Sequence, residues 1–140
     1  MSRISQVEQH NLRKHGCSRI ANTMYSLWKE SWMHSRVYDY LIRDEVITIG
    51  RSKKGSEHRE HIVPCVVLTN EIFLMFDRGA SAEDAFLMLD KYLYIAIISK
   101  EEQRYMDYDL KLKTTMPDGW RFGIDSPMSR LEVAGIELIQ

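Results

Sequence analysis

Apolar residues in the first third of the chain recur at the spacing of a helix. The set steps by four, three and one positions, which places its members on one helical face: Ile20, Met24, Leu27 and Trp28. The pattern predicts a helix over residues 18–33. A more polar helix is predicted over 5–15, ending at Gly16, and a shorter one over 36–43. The N-terminal part, residues 1–44, is therefore expected to be helical.

The period changes after residue 44. Residues 45–49 are rich in β-branched side chains and predict a strand. A basic turn over 50–55 follows, and a second strand is predicted over 56–63. Pro64 stops that strand, because proline has no N–H to donate to a sheet.

Helical spacing returns at Cys65 and continues to Phe76, and Gly79 is expected to end this helix in a left-handed conformation. Ser81 and Asp84 resemble a capping box at the start of a second helix, which ends near Lys91. These two helices form a helical insertion between strands.

The aromatic and β-branched run over 92–98 predicts another strand, which we expect to be buried. Ser99 and Glu102 then form a stronger capping box, so a helix is predicted to begin there and to reach about residue 108. Beyond it the signals weaken to turns and a short helix over 128–134.

Composition limits the class of protein. A chain of 140 residues is expected to form one domain, and 44% hydrophobic with 28% charged residues is ordinary for a soluble globular protein. Because the net charge is −1, contact with nucleic acid has to come from local basic patches.

Cys17 and Cys65 are far apart and neither lies in a C-x-x-C motif, which favours a reducing cytoplasm. The sequence shows neither a signal peptide nor an apolar run of membrane-spanning length, so no membrane partner is expected.

The most distinctive stretch is residues 56–64, where charged residues and two histidines run into an apolar segment. Histidine, with an ordinary pKa of about 6.5, is a competent general base near neutral pH. A neighbouring carboxylate suits Mg²⁺, which prefers oxygen ligands. Adjacent residues on a regular strand point to opposite faces. Glu60 and His61 can therefore serve one site only where the strand end is distorted, and Pro64 offers such a break.

The order of strand, Glu60-His61, helical excursion, strand and capped helix resembles the HNH, or ββα-metal (His-Me finger), endonuclease family. The resemblance covers roughly residues 45–110 and leaves 111–140 as a C-terminal extension. It implies an α+β fold whose core is a small two-stranded antiparallel sheet plus a helix.

The resemblance also implies roles for individual residues. His61 would take a proton from the attacking water, and Glu60 would bind a divalent ion, Mg²⁺ or Mn²⁺. The position of the family's last metal ligand falls within Glu101, Glu102 and Gln103 of this chain, and Glu102 and Gln103 are the predicted ligands. The basic residues beside the motif are candidate contacts to phosphate groups of nucleic acid: Arg51, Lys53, Lys54, His58 and Arg59.

Two functions from different classes follow. The first is a metal-dependent endonuclease that hydrolyses DNA, encoded by a phage or mobile element. The alternative is a catalytically inactive protein on the same scaffold that binds DNA or RNA, or inhibits a protein such as a host defence system. Its motivation is Gln103, because an amide is a poor ligand for a hard cation. A helical DNA-binding regulator using residues 5–33 ranks below both. The sequence leaves oligomeric state and strandedness of the nucleic acid open.

Overall fold

The computed structural model describes residues 5–32, 37–55 and 57–139. The predicted boundaries at Met33, Arg36 and Ser56 lie outside these ranges. The chain divides into two compact units, residues 1–47 with 69–91 and residues 48–68 with 92–140. The fold is α+β with a helical N-terminal region, as the sequence predicts.

The described helices and strands are as follows. The helices are α1 (Gln6–Lys29), α2 (Val37–Leu41), α3 (Asp44–Ile47), α4 (Cys65–Asp77), α5 (Ala82–Tyr92), α6 (Lys100–Arg104) and α7 (Ser129–Val133), with a π-helix (Tyr105–Asp109) directly after α6. The strands are β1 (Thr48–Ser52), β2 (His58–His61), β3 (Ile95–Ile98) and β4 (Leu138–Ile139). Among the described residues, no helix combines the length and the apolar character needed to cross a membrane.

In the first unit, α1 is one continuous helix, so the predicted break at Gly16 is wrong. The glycine serves close packing instead. A Cβ atom at position 16 would lie 2.6 Å from side-chain atoms of Ile42, so only glycine lets these two segments approach so closely. Two predicted features of this unit are confirmed. Gly79 has a positive φ of 95° after α4, and Ser81 and Asp84 exchange hydrogen bonds before α5.

The core of the first unit contains Ile20 and Met24 of the helical face identified from the sequence, together with Phe76, each at most 1% exposed. Leu27 and Trp28 of that face are half-buried. Two of its buried polar side chains are paired with each other. The Tyr38 hydroxyl lies 2.7 Å from Thr69 Oγ1. Burial of such groups is tolerated because each hydrogen bond replaces one lost to water.

A second polar group in this unit is Arg13 of α1, which is almost completely buried. Its Nη2 donates to the carbonyl oxygens of Leu89 and Asp90 at 3.1 and 2.7 Å, in the last turns of α5. One turn along α1, burial raises the pKa of the Cys17 thiol to about 11, with nearby Arg13 lowering it and Asp90 raising it. The thiol is therefore a protonated core group.

The second unit contains a four-stranded mixed sheet in the order β2-β3-β1-β4. Strands β1 and β3 are parallel, and the pairs β2–β3 and β1–β4 are antiparallel. The predicted two-stranded sheet is therefore wrong in strand number, and β1 and β2 are separated by β3. The antiparallel pair β2–β3 followed by α6 does keep the strand, strand, helix order of the sequence.

Strand β1 begins three residues later than predicted, because residues 44–47 form the short helix α3. Asp44 and Glu45 lie in its first turn, where negative charge is favourable. The first three residues of the turn predicted at 50–55 belong to β1 in the structure. The connection then passes close to β3, and a Cβ on Gly55 would overlap the carbonyl oxygen of Ile97.

The helix after β3 is capped as predicted. Ser99 Oγ accepts from the Glu102 N–H at 3.1 Å, and the Glu102 carboxylate accepts from the Ser99 N–H at 2.9 Å. Beyond Arg104 the helix widens into the π-helix, where the Leu110 N–H donates to the Tyr105 carbonyl five residues back. The final helix falls within the predicted range, whereas β4 was not predicted.

Candidate functional site

Glu60 lies on β2, one of the two edge strands of the sheet. The strand pairs with β3 in continuous register from His58 opposite Ile98 to His61 opposite Ile95. In this regular pairing Glu60 and His58 project from one face, and Arg59 and His61 from the other. The expected distortion that would turn Glu60 and His61 to one side is not seen within the strand.

The partner of Glu60 on its own face is His58. His58 Nε2 lies 2.8 Å from Glu60 Oε1, and the two side chains are 31% and 12% exposed. Residues two apart on a strand share a face, so this pairing follows from the backbone. His58 was predicted as a phosphate contact. The structure places its ring against the Glu60 carboxylate, and the phosphate contact stays a prediction.

The second partner of Glu60 is Arg130 of α7, whose side chain is completely buried. Arg130 Nη2 donates to Glu60 Oε2 at 3.1 Å and lies 3.5 Å from the Lys113 carbonyl oxygen. Nη1 donates to the His61 carbonyl at 2.7 Å, and Nε donates to the Leu112 carbonyl at 2.9 Å. A buried guanidinium requires such a set of acceptors, because its charge has lost the hydration of water.

Asp107 of the π-helix supplies a second carboxylate near Arg130. Its Oδ1 lies 3.9 Å from Arg130 Nη2, which is too far for a hydrogen bond. Its Oδ2 accepts from Gln103 Nε2 at 2.7 Å. The Asp107 side chain is only 5% exposed, and Oδ1 has no hydrogen-bond donor among the described residues.

Glu102 faces away from this cluster. Its Oε1 accepts from the Ser99 N–H and also from Ser52 Oγ of β1 at 2.6 Å. The carboxylate therefore ties the start of α6 to the sheet. Glu102, one of the predicted metal ligands, is therefore part of the helix cap in this structure.

A cleft of roughly 350 Å³ runs beside β2. It brings together Glu60, His61 and Gln103, three of the four residues predicted for catalysis and metal binding, and also His58 and Arg59. The remaining lining residues are Pro64, Cys65, Val66, Asp107, Lys113 and Thr114.

The other predicted nucleic-acid contacts lie on and beside the sheet. Arg59 of β2 pairs with Ile97 of β3, which pairs with Arg51 of β1. Residues paired in this way share a face, so the two arginines flank Ile97 about 10 Å apart, two strand spacings. Both are exposed, as are Lys53 and Lys54 in the turn after β1. Arg51 Nη1 also donates to the Gly55 carbonyl at 3.3 Å.

The Glu60 carboxylate already has two partners within the protein. One oxygen of Glu60 is bound by a guanidinium and the other by an imidazole, so a metal ion there would sit beside a fixed positive charge. Within 5–32, 37–55 and 57–139, no three histidine, cysteine or carboxylate side chains converge as a metal site.

Two residues of the cluster were missed by the sequence analysis. Arg130 and Asp107 carry no motif, and Arg130 falls in the region predicted to be only an extension. A signal was present for Arg130, which lies between the apolar residues Met128 and Leu131 in a predicted helix. An arginine in such a position is buried only if it is paired.

Comparison with known proteins adds no relative to this picture. No protein-family model, no curated protein and no solved structure matches the chain. The class defined by the fold is a small α+β protein with a buried arginine–carboxylate cluster beside a cleft.

Proposed function

We propose that this chain is a non-catalytic nucleic-acid-binding protein with an HNH-like strand, strand, helix element. The observation that supports the proposal best is the state of the Glu60 carboxylate. Both of its oxygens are hydrogen-bonded inside the protein, to Arg130 and to His58. A carboxylate that neutralises a fully buried arginine is a structural counter-ion.

The energetic argument favours this role over metal ligation. Withdrawing Glu60 from Arg130 would leave a buried guanidinium without its closest negative partner. Breaking a buried pair in this way costs about 3–5 kcal/mol. A metal ion would have to offset that cost before any binding energy remained for catalysis.

The binding surface that we propose is the pair of arginines that share one sheet face, Arg51 and Arg59, with Lys53 and Lys54 in the adjoining turn. These four exposed cations, in a molecule with a net charge of −1, are the kind of local basic group that phosphate contacts need. Ile97 lies between the arginines and offers apolar contact to a sugar or base.

The test is fluorescence anisotropy with labelled single-stranded and duplex oligonucleotides in EDTA. We expect Arg51→Glu/Arg59→Glu to weaken binding at least tenfold. Arg121→Glu is the matched control, because Arg121 is an exposed arginine outside the patch, and its affinity should stay near wild type. Equal affinity of the double variant and the wild type would contradict the proposal. If the wild type binds no oligonucleotide, nucleic-acid binding is ruled out and the protein-target alternative remains.

A second candidate is the metal-dependent endonuclease that the sequence resembles. Its support is the cleft that Glu60, His61 and Gln103 line together. Nicking of supercoiled plasmid with Mg²⁺ or Mn²⁺, lost in His61→Ala, would establish it and overturn the non-catalytic proposal. Nicking that His61→Ala leaves unchanged would rule out His61 as the base.

A further inference from the structure

The surface of the π-helix carries two exposed aromatic side chains that the proposed function does not use. Tyr105 is 43% exposed and Tyr108 is 62% exposed. Both line a depression of roughly 380 Å³ together with Arg104, and the carboxylates of Glu101 and Asp109 complete the lining. Two aromatic rings beside a cation form a surface on which a flat ligand can stack.

The rings are presented on a firm support. Tyr105 and Tyr108 are three positions apart, and residues at this spacing are neighbours on the surface of a helix. The two residues between them, Met106 and Asp107, are buried and attach the π-helix to the second unit. The tyrosines therefore need little ordering when a ligand binds, which lowers the entropic cost of binding.

A lysine connects the rings to the proposed phosphate-binding patch. Lys113 Nζ lies 5.9 Å from the centroid of the Tyr108 ring. Lys113 also lines the cleft beside β2, as does Arg59 of the patch. In a nucleotide the phosphate is linked to the base through the sugar, so a cation beside an aromatic ring matches both parts of the ligand.

The charges of the depression indicate which part of a nucleotide enters it. Glu101 and Asp109 disfavour a phosphate group there, because like charges repel. An uncharged base is not repelled in this way. The phosphates are expected on the side of Lys113 and Arg59, and the bases on the side of the tyrosines.

We propose that Tyr105 and Tyr108 are a stacking platform for the bases of a single-stranded nucleic acid whose phosphates contact Lys113 and Arg59. The inference rests on the proposed nucleic-acid binding and specifies its substrate. Stacking tolerates any sequence, because every base has a π-face. A duplex is not bound in this mode, since its bases already stack on one another.

The bases themselves give the experiment its contrast. Labelled oligo-dT is compared with an oligomer of the same length and phosphate number whose sugars carry no bases, and both are titrated with the wild-type protein in EDTA. Stacking on aromatic side chains contributes to the affinity of each stacked base. We expect oligo-dT to bind about tenfold more tightly than the abasic oligomer.

Substitution of the rings should remove this difference. Tyr105→Leu/Tyr108→Leu should bind oligo-dT about tenfold more weakly than the wild type and bind the abasic oligomer and a duplex as the wild type does. Tyr105→Phe/Tyr108→Phe retains both rings and should keep the wild-type affinity. Tyr40→Leu is the matched control, because Tyr40 of α2 is 84% exposed and lies outside the platform, and it should also bind as the wild type does.

The outcomes separate the two proposals. Binding of oligo-dT and the abasic oligomer within a factor of two by the wild type would overturn the stacking inference and leave the proposed function standing. A leucine double variant with wild-type affinity for oligo-dT would do the same. If the wild type binds neither these oligomers nor a duplex, both proposals are overturned. The wild-type comparison decides the inference even if the leucine double variant does not fold.

Discussion

At the scale of single residues, Arg130 is the group on which the second unit depends most. Its guanidinium joins β2, the segment at 112–113 and α7 through contacts with the Glu60 carboxylate and three backbone carbonyls. Its Nη2 also lies 3.9 Å from Asp107 Oδ1, within the distance of an ion pair. None of its surface is exposed, so none of these interactions is replaced by water when the side chain is removed.

Replacing Arg130 with methionine should lower the free energy of unfolding by about 3–5 kcal/mol, because Glu60 and Asp107 remain buried without their cation. Urea unfolding followed by circular dichroism measures the loss. Arg121→Met, at an exposed arginine, should cost less than about 1 kcal/mol.

A double variant tests whether the loss comes from the charge. Arg130→Met/Glu60→Gln should be less destabilised than the sum of the two single variants, since neutral glutamine is cheaper to bury than an unpaired carboxylate. Strict additivity would show that the two side chains act independently and would contradict the assigned pairing.

Cys17 gives a prediction of pH dependence. Burial raises its pKa from an ordinary 9.0 to about 11, so between these values the folded thiol keeps a proton that the unfolded chain has lost. The stabilisation is complete below pH 9 and is lost as the pH rises toward 11, by about 3 kcal/mol in total.

Denaturant midpoints measured from pH 8 to 11 should therefore fall more steeply for the wild type than for Cys17→Ala, which lacks the titrating group. The quantity to compare is the slope of the denaturant midpoint against pH, because the cavity in the alanine variant lowers its stability at every pH. Parallel pH profiles would show that the thiol does not titrate as inferred.

Residue by residue, the sequence could indicate the chemistry of Glu60 and His61 but not their partners. Strand alternation predicts that Glu60 shares a face with His58 and not with His61. Glu60 and Arg130 are 70 residues apart in the sequence. Their pairing depends on how α7 packs in the folded chain, and a local sequence pattern does not show such packing.

At the scale of secondary-structure elements, features set by neighbouring residues were predictable. Both capping boxes, at Ser81 and at Ser99, were found, because each depends on side chains only three residues apart. Strand order was not predictable, because insertion of β3 between β1 and β2 depends on pairing of distant segments. The two-residue strand β4 is too short to show a period.

The cap at Ser99 can be tested directly. Ser99→Ala should destabilise the protein by about 1 kcal/mol, because the Glu102 N–H loses its acceptor at the start of α6. Thermal unfolding measures the change. Ser18→Ala, at an exposed position inside α1, should be neutral or slightly stabilising, since alanine favours the helix interior.

A loss at Ser18 as large as that at Ser99 would show that the effect is not specific to capping. Glu102 also accepts from Ser52, so the start of α6 is anchored to β1 as well as capped. The Ser99 variant keeps this anchor and should therefore keep its fold.

At the scale of the whole molecule, charge balance limits how nucleic acid can bind. The chain has 19 basic and 20 acidic residues, so the proposed binding to phosphate has to rely on the local patch of Arg51, Arg59, Lys53 and Lys54. About three phosphates neutralised on a single strand give a slope near −2 for log affinity against log salt concentration.

Affinity for a single-stranded oligonucleotide should thus fall roughly 16-fold between 50 and 200 mM salt. Anisotropy titrations across this range measure the slope. A slope steeper than about −5 would indicate a far larger phosphate footprint than the described patch and would contradict the assigned surface.

Each of the two compact units is assembled from two separate chain segments. The order of predicted elements and the family resemblance predicted the α+β class, yet neither could show that the chain leaves the first unit at residue 47 and returns to it at 69. Such interleaving is set by long-range contacts, which a one-dimensional pattern does not record.

The π-helix has a consequence for how the chain can change in length. Each residue of an α-helix advances the rotation by about 100°, and a π-turn holds one residue more than an α-turn. Deleting one residue from 105–109 would let the segment close into ordinary α-geometry and would swing Asp107 to a different side. Tyr105, Tyr108 and Asp109 are exposed and would tolerate substitution. Deletion of one residue from 105–109 should nevertheless not be tolerated.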